Sequence, residues 1–256
     1  MIIRRLARSL KDRNWTTIVI EFVLLVLGVF LGIQAANWNE VRRDQTMEAE
    51  YLVRLTRDFR AIDVRLQENV ARWERKASAS VRVLADLEAF QRGGAWPRPK
   101  AEILLDLEDM QDYRIPAPRA AAYVELLATG KLGLVRNSRL RDALLDYDTQ
   151  VGFTQTAFDI LVRRVEPHRA PLVAHLEFNR DGAWMDIEAA AADGTTLWSD
   201  VDLARLAADP TLETTLNMHA SASGNQWLVA RLQQQKCRAV LALLEPGTED
   251  VAGAQP

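Results

Sequence analysis

An all-α fold is what this sequence predicts: an N-terminal transmembrane helix continuing into a long helix, followed by a helical bundle. Three observations point there. Residues 18–33 read I-V-I-E-F-V-L-L-V-L-G-V-F-L-G-I, and thirteen of these sixteen are Ile, Val, Leu or Phe. Residues 39–91 hold neither proline nor glycine, and their apolar side chains recur every three or four positions, the spacing of one helix face. No segment alternates apolar and polar residues as a half-buried strand would.

The first element is the membrane helix, 15–38. Each apolar residue gains roughly 0.3–0.6 kcal/mol on insertion, so the run gains about 4–8 kcal/mol against at most about 3 kcal/mol for Glu21 near its end. A helix from Trp15 to Trp38 rises about 35 Å, enough to cross the ~30 Å hydrocarbon core. The two tryptophans suit the two interfaces. Arg4, Arg5, Arg8, Lys11 and Arg13 precede the span, whereas only Arg42 and Arg43 come within fifteen residues after it. The positive-inside rule makes 1–14 a basic cytoplasmic tail and exports the chain beyond the span. In a bacterium that is the periplasm, with the anchor in the inner membrane. A cleavable signal peptide shares the basic start, but its apolar core runs about 7–15 residues before a small-x-small site. Here the run is longer, and Ile33 and Gln34 stand at the −3 positions of Ala35 and Ala36.

A long juxtamembrane helix, 39–92, comes next. Its stripe of Phe59, Ile62, Leu66, Val70, Trp73, Ala77, Val81 and Leu84 steps by 3, 4, 4, 3, 4, 4 and 3, an eleven-residue period. It serves either as a rigid stalk or as the first helix of the bundle. Gly93-Gly94, Pro97 and Pro99 end it. The bundle is expected over 101–245. Ala101–Gln111 is a short amphipathic helix, opened again after Pro116 and Pro118 by a face of Tyr123, Leu126 and Leu127. Gly130 reads as the residue past a helix C-terminus, and Asn137 as the N-cap of a helix carrying Leu140, Leu144, Tyr147 and Val151. That helix continues or restarts through Phe158, Leu161 and Val162 until Pro167 and Pro171 kink or break it. Asp181-Gly182 and Asp193-Gly194 look like turns. Helical patterning returns over Val201–Ala207 and Thr211–Leu244, and 246–256 reads as a disordered polar tail.

Composition narrows function. The formal charge of −3 and a pI near 5.7 exclude the basic face that nucleic acid requires. Cys237 is the single cysteine, so no internal disulfide forms, and it reads as a small buried residue rather than a reactive thiol. His168 and His175 are separated by Pro171, and His219 is isolated. No H-E-x-x-H, C-x-x-C, nucleophile elbow, phosphate-binding loop or dinucleotide fingerprint is present. Asp106, Glu108, Asp109 and Asp112 read as a wet helix face. No catalytic, cofactor-binding or metal-binding residue is therefore expected, and the chain is not expected to be an enzyme. Lys131 to Asn137, between two amphipathic helices, either sets their angle or presents Lys131 and Arg136 to a ligand.

Two stretches resemble an uncharacterised family of bacterial single-span membrane proteins. Its anchor motif, E-x6-G-x5-Q-x2-N-W-N-E, is met by Glu21, Gly28, Gln34, Asn37, Trp38, Asn39 and Glu40. Its helical motif, Y-x-E-L-x-x-[ST]-G-x-L, is met by Tyr123, Glu125, Leu126, Thr129, Gly130 and Leu132, and the likeness runs on to Tyr147. Gly32 and Ile20 depart from the family's alanine and glycine. The resemblance covers under a fifth of the chain. It implies the single-span architecture and no activity.

The strongest candidate site lies in the span. At 100° per residue, Glu21, Gly28, Gly32, Ala35 and Asn39 fall within about 40° of one line. Gly28 and Gly32 form G-x-x-x-G, whose small side chains let a second helix approach closely. The alternative is that Glu21 snorkels to the interface and the glycines are incidental. The expected partners are the lipid bilayer and, through this face, a second copy or another membrane protein. The expected role is a non-enzymatic scaffold or interaction protein. The competing reading is a ligand-sensing or proton-coupled accessory subunit. Only fourteen residues precede the span, so a sensor's output would have to come from its partner, and proton-driven motor subunits of this layout carry α/β exported domains.

Overall fold

A computed structural model describes residues 15–111, 115–180 and 197–245. The basic tail, the two Asp-Gly turns, Asp112 and the C-terminal tail lie outside them. The described residues form an all-α fold with one small hairpin. Two compact units divide at residue 53.

Helix α1, Trp15–Gly93, contributes to both units. In the first unit every described side chain from Ile20 to Arg43 is exposed. This stretch is long and apolar enough to cross a membrane, with a mean hydropathy of 1.9 over its best window and none of that window buried. Helix α1 ends where the glycine pair stands: Gly94 takes φ +73° and donates its N–H to the Phe90 carbonyl at 2.6 Å. The ring of Phe90 then stacks on Trp96 at 5.3 Å.

The second unit is built on three long helices: α1 beyond residue 53, α4 (Ser138–Val165) and α7 (Leu212–Leu244). The inward positions of α1 are Leu55, Phe59, Ile62, Leu66, Asn69, Trp73, Lys76, Ser80, Val83 and Leu87. Their steps alternate four and three, which is a seven-residue period, with Ala79 and Asp86 also buried beside that line. This corrects the expected eleven-residue stripe. The two agree as far as Leu66 and meet again at Trp73, but Ala77 and Leu84 are only half-buried and Val81 is exposed. The same alternation runs through Leu140, Leu144, Tyr147, Val151, Thr154, Phe158, Leu161 and Val165 on α4, and through Leu212, Leu216, His219, Ser223, Gln226, Ala230, Gln233, Cys237 and Val240 on α7. A shared 3.5-residue repeat keeps three seams facing one axis.

Contacts fix the directions. Phe59 meets Tyr147 edge-on at 5.0 Å, and the Cys237 thiol points at the Phe59 carbonyl at 3.5 Å. Further on, Trp73 packs with Leu161, Val165 and Ala230. Thus α1 and α4 run parallel and α7 runs against both.

Shorter elements pack at both ends of the bundle. Helix α2, Lys100–Asp109, starts behind Pro99 and buries Ile103, Leu104 and Leu107 against Val83 and Leu87. Helix α3, Ala121–Ala128, and a 3-10 turn at Leu132–Leu134 lead into α4. The Asn137 side chain accepts the Leu140 N–H at 3.3 Å, as an N-cap should. Helix α4 is continuous through Val151 and Phe158. Pro167 converts its end into a 3-10 turn, and Pro171 is accommodated in the first turn of the short α5, Arg169–Val173.

Two strands were not legible in the sequence. Strand β1 (Leu176–Phe178) pairs antiparallel with β2 (Trp198–Val201), matching Leu176 to Val201 and Phe178 to Trp198. Val201, expected to open a helix, closes this hairpin. Helix α6 begins two residues later, at Leu203–Ala208, with the Asp202 side chain accepting the Arg205 N–H. Three or four residues are too few to establish an alternating period.

Candidate functional site

Glu21, Gly28, Gly32, Ala35 and Asn39 all lie on α1 within the first unit, and all are exposed. At 3.6 residues per turn they form one line along the helix. A Cβ added at Gly28 or Gly32 would meet no atom within 4 Å, so no described residue packs into the groove these glycines leave. The geometry leaves a carboxylate and two backbone-exposing positions on one side of an apolar rod. A second helix on that side would gain close backbone contact at the glycines and would cover Glu21.

The second motif is accounted for by packing. Gly130 takes φ +67°, and its N–H reaches the Leu127 carbonyl at 3.1 Å while the Lys131 N–H reaches Leu126 at 2.8 Å. These are the paired bonds of a Schellman ending, which needs a left-handed residue at that point. Thr129 donates its hydroxyl to the Glu125 carbonyl, and the Glu125 carboxylate pairs with Arg54 on α1. Tyr123, Leu126, Leu140, Leu144 and Tyr147 are buried. The Arg141 guanidinium donates to the Val135 and Arg136 carbonyls, clamping the link. Gly130 and the Arg141 clamp thus shape the turn between α3 and α4, and Glu125 ties α3 to α1.

The three histidines lie on separate segments. His175 pairs with Asp209 at 3.0 Å, and this holds the Asp209 carboxyl down at about 2, helped by bonds from Thr211. His168 sits in the 3-10 turn after α4, and His219 is fully buried in the bundle. Among the described residues no three His, Cys, Asp or Glu side chains are grouped as metal ligands. Asp106 corrects the expected wet face. It is buried and joined to Arg98 and Arg82, while Glu108 on the same helix accepts the Leu197 N–H at 2.9 Å. Cys237 is buried, and burial pushes its thiol up to about 12, so it is not a nucleophile at neutral pH.

Two open grooves border α7. One is lined by Ala157, Ile160, Leu161 and Arg164 of α4 with Ser221, Ala222 and Asn225; the other involves Leu228, Arg231, Leu232 and Arg238 with two glutamines. Among the described residues, arginine is the only ionisable type in either lining, and it cannot give up its proton. No family model, no curated protein and no solved structure matches the chain.

Proposed function

We propose that this chain belongs to the family of bacterial single-span membrane proteins that its two motifs resemble. In this reading it is anchored once in the inner membrane, with its N-terminus in the cytoplasm and its helical bundle in the periplasm. It works as a non-enzymatic scaffold, whose membrane helix binds a second copy or another membrane protein through the Glu21, Gly28, Gly32, Ala35 and Asn39 face. One observation carries the reading: α1 presents apolar side chains on all sides from Ile20 to Ile33, with no described residue covering them. These eleven exposed Ile, Val, Leu and Phe side chains would gain about 3–7 kcal/mol on leaving water for lipid, at roughly 0.3–0.6 kcal/mol each.

Topology is tested by fusing alkaline phosphatase, which matures only outside the cytosol, to the C-terminus. High activity in intact cells is expected. Activity of a cytosol-dependent reporter instead, or a mature product beginning beyond Ala36, overturns the placement. The helix contact is tested in a membrane two-hybrid assay with Gly28→Ile/Gly32→Ile. Two isoleucines push a partner backbone outward, and a loss of about 1–2 kcal/mol, roughly tenfold in association, is expected. Equal signal from both proteins removes the glycine face from the proposal.

A further inference from the structure

The seven-residue spacing of the buried seams is repeated on the outside of the bundle, along the groove between α4 and α7. On α4 the outer line is Phe153, Ala157, Ile160 and Arg164, with steps of four, three and four. On α7 it is Ser221, Asn225, Leu228 and Leu232, with the same steps. The Lys236–Asp146 pair at 2.8 Å and the reach of Arg164 to the Met218 sulfur at 3.7 Å fix the register of these antiparallel helices. Counting between those contacts sets Ile160 level with Ala222 and Phe153 level with Val229. Phe153, Ile160, Leu228 and Leu232 therefore form one apolar strip across the groove, each between 41% and 57% exposed. Small side chains at Ala157, Ser221 and Ala222 leave a trough of about 290 Å³ beside them. Two matched 3.5-residue lines on neighbouring helices are what a fourth helix packs against in a four-helix bundle.

We propose that this groove binds an amphipathic α-helix of another protein, one with apolar residues every three or four positions and acidic residues beside them. A helix suits the groove because both flanking lines carry the spacing of a helix face, and apolar anchors at that spacing fill such a groove. Acidic flanks suit it because its charge is positive. Arg164 is the one ionisable residue of the described lining, and Arg163 stands next to it. Arg164 reaches the Met218 sulfur, and Arg163 donates to the Asp159 backbone carbonyl at 3.3 Å. The Asp159 carboxylate accepts instead from Gln155 at 3.1 Å. Among the described residues, then, no carboxylate neutralises either arginine. Farther along α7, by contrast, Lys236 and Arg238 are paired with Asp146 and Asp63. A carboxylate on the incoming helix would meet Arg164 at the edge of an apolar contact, where partial exclusion of water strengthens the pair. A second copy offering the same face would bring arginine and no carboxylate, setting like charges together. The groove lies wholly within the second unit, so its occupant is independent of what the membrane helix binds.

The test is fluorescence anisotropy on the full-length protein in detergent, with two labelled helical peptides as probes. Both carry leucines at helix-face spacing; one flanks them with glutamates and the other with lysines. The glutamate peptide should bind roughly tenfold more tightly, because an attraction at Arg164 replaces a repulsion. High salt should narrow that margin, and Arg164→Gln should bring the two peptides level. Ile160→Asn/Leu228→Asn, at two exposed positions, should weaken the glutamate peptide by at least about tenfold and leave the thermal unfolding of the bundle in place. Equal binding of the two peptides to the wild type, no binding of the glutamate peptide, or binding that survives Ile160→Asn/Leu228→Asn overturns the proposal. Analytical ultracentrifugation supplies a further check. A dimer that Ile160→Asn/Leu228→Asn dissolves and Gly28→Ile/Gly32→Ile does not would make a second copy the occupant, and the acidic helix would be ruled out.

Discussion

Replacing Arg98 with methionine is expected to destabilise the bundle by about 3–5 kcal/mol, the cost of stranding buried charge. The Arg98 guanidinium donates to Asp86 from Nε at 2.8 Å and from Nη2 at 2.5 Å, and Nη2 also reaches Asp106 at 2.8 Å. The two carboxylates are 8% and 7% exposed, so water cannot take over the role of the cation. Arg82 is 47% exposed and directs its bonds to Asp106, leaving Asp86 to Arg98. The hydrogen bond donated to Asp86 leads the effects that raise Arg98 above its ordinary pKa, so Arg98 stays charged wherever the protein is folded. The network also bridges α2 to the end of α1 across the proline-rich link, so losing it frees the cap over Val83 and Leu87. Lys236→Met is the control. Its pair with Asp146 is 45% and 62% exposed, and such surface pairs contribute under about 1 kcal/mol. Chemical denaturation of both variants in the same detergent gives the comparison. Similar losses would show that the Arg98 network is no stronger than a surface pair.

Much of this fold could be read from residue spacing, and the failures have a common cause. Gly94, Gly130 and Asn137 were legible because each answers a local backbone demand: a left-handed turn at the two glycines and an unpaired N–H at the asparagine. The seam of α1 was legible only where its inward residues are apolar. Beyond Leu66 the inward positions are taken by Asn69, Lys76 and Ser80, and a hydrophobic stripe drifts onto Val70, Ala77 and Val81 instead. The seven-residue period emerges only when α4 and α7 supply the opposing seams. For the same reason His219 read as an isolated histidine: its environment is made first by burial among the helices and then by Lys76, far away in the sequence. The acidic stretch on α2 failed likewise, since Asp106 is buried by arginines from two other segments. The line of Glu21, Gly28, Gly32, Ala35 and Asn39 could be drawn from the sequence because it needs only the geometry of one helix.

The layer around Phe59 should be the least replaceable part of the apolar seam. Phe59 is fully buried, packs edge-on against Tyr147, and offers its carbonyl to the Cys237 thiol. The Tyr147 hydroxyl donates to the Pro118 carbonyl at 3.1 Å and accepts from Gln233 at 3.3 Å, and Gln233 also reaches the Ala117 carbonyl at 3.2 Å. One ring thus supports α1, α4, α7 and the segment leading into α3. Phe59→Ala removes the ring and leaves a cavity that three rigid helices cannot jointly fill, so a loss of about 3–5 kcal/mol is expected. Val64→Ala, at a position 57% exposed, should change stability by less than about 0.5 kcal/mol. The single cysteine gives a second measurement on the same layer. In the closed bundle the thiol is buried and protonated at neutral pH, so a thiol reagent must wait for the helices to open. Labelling of Cys237 under native conditions should therefore accelerate at least about a hundredfold in Phe59→Ala, because 1.4 kcal/mol corresponds to a factor of ten in the open population. If labelling stayed slow while denaturation showed the full loss, Cys237 would be shielded by something other than this seam, and the three-helix layer would not be the unit that opens.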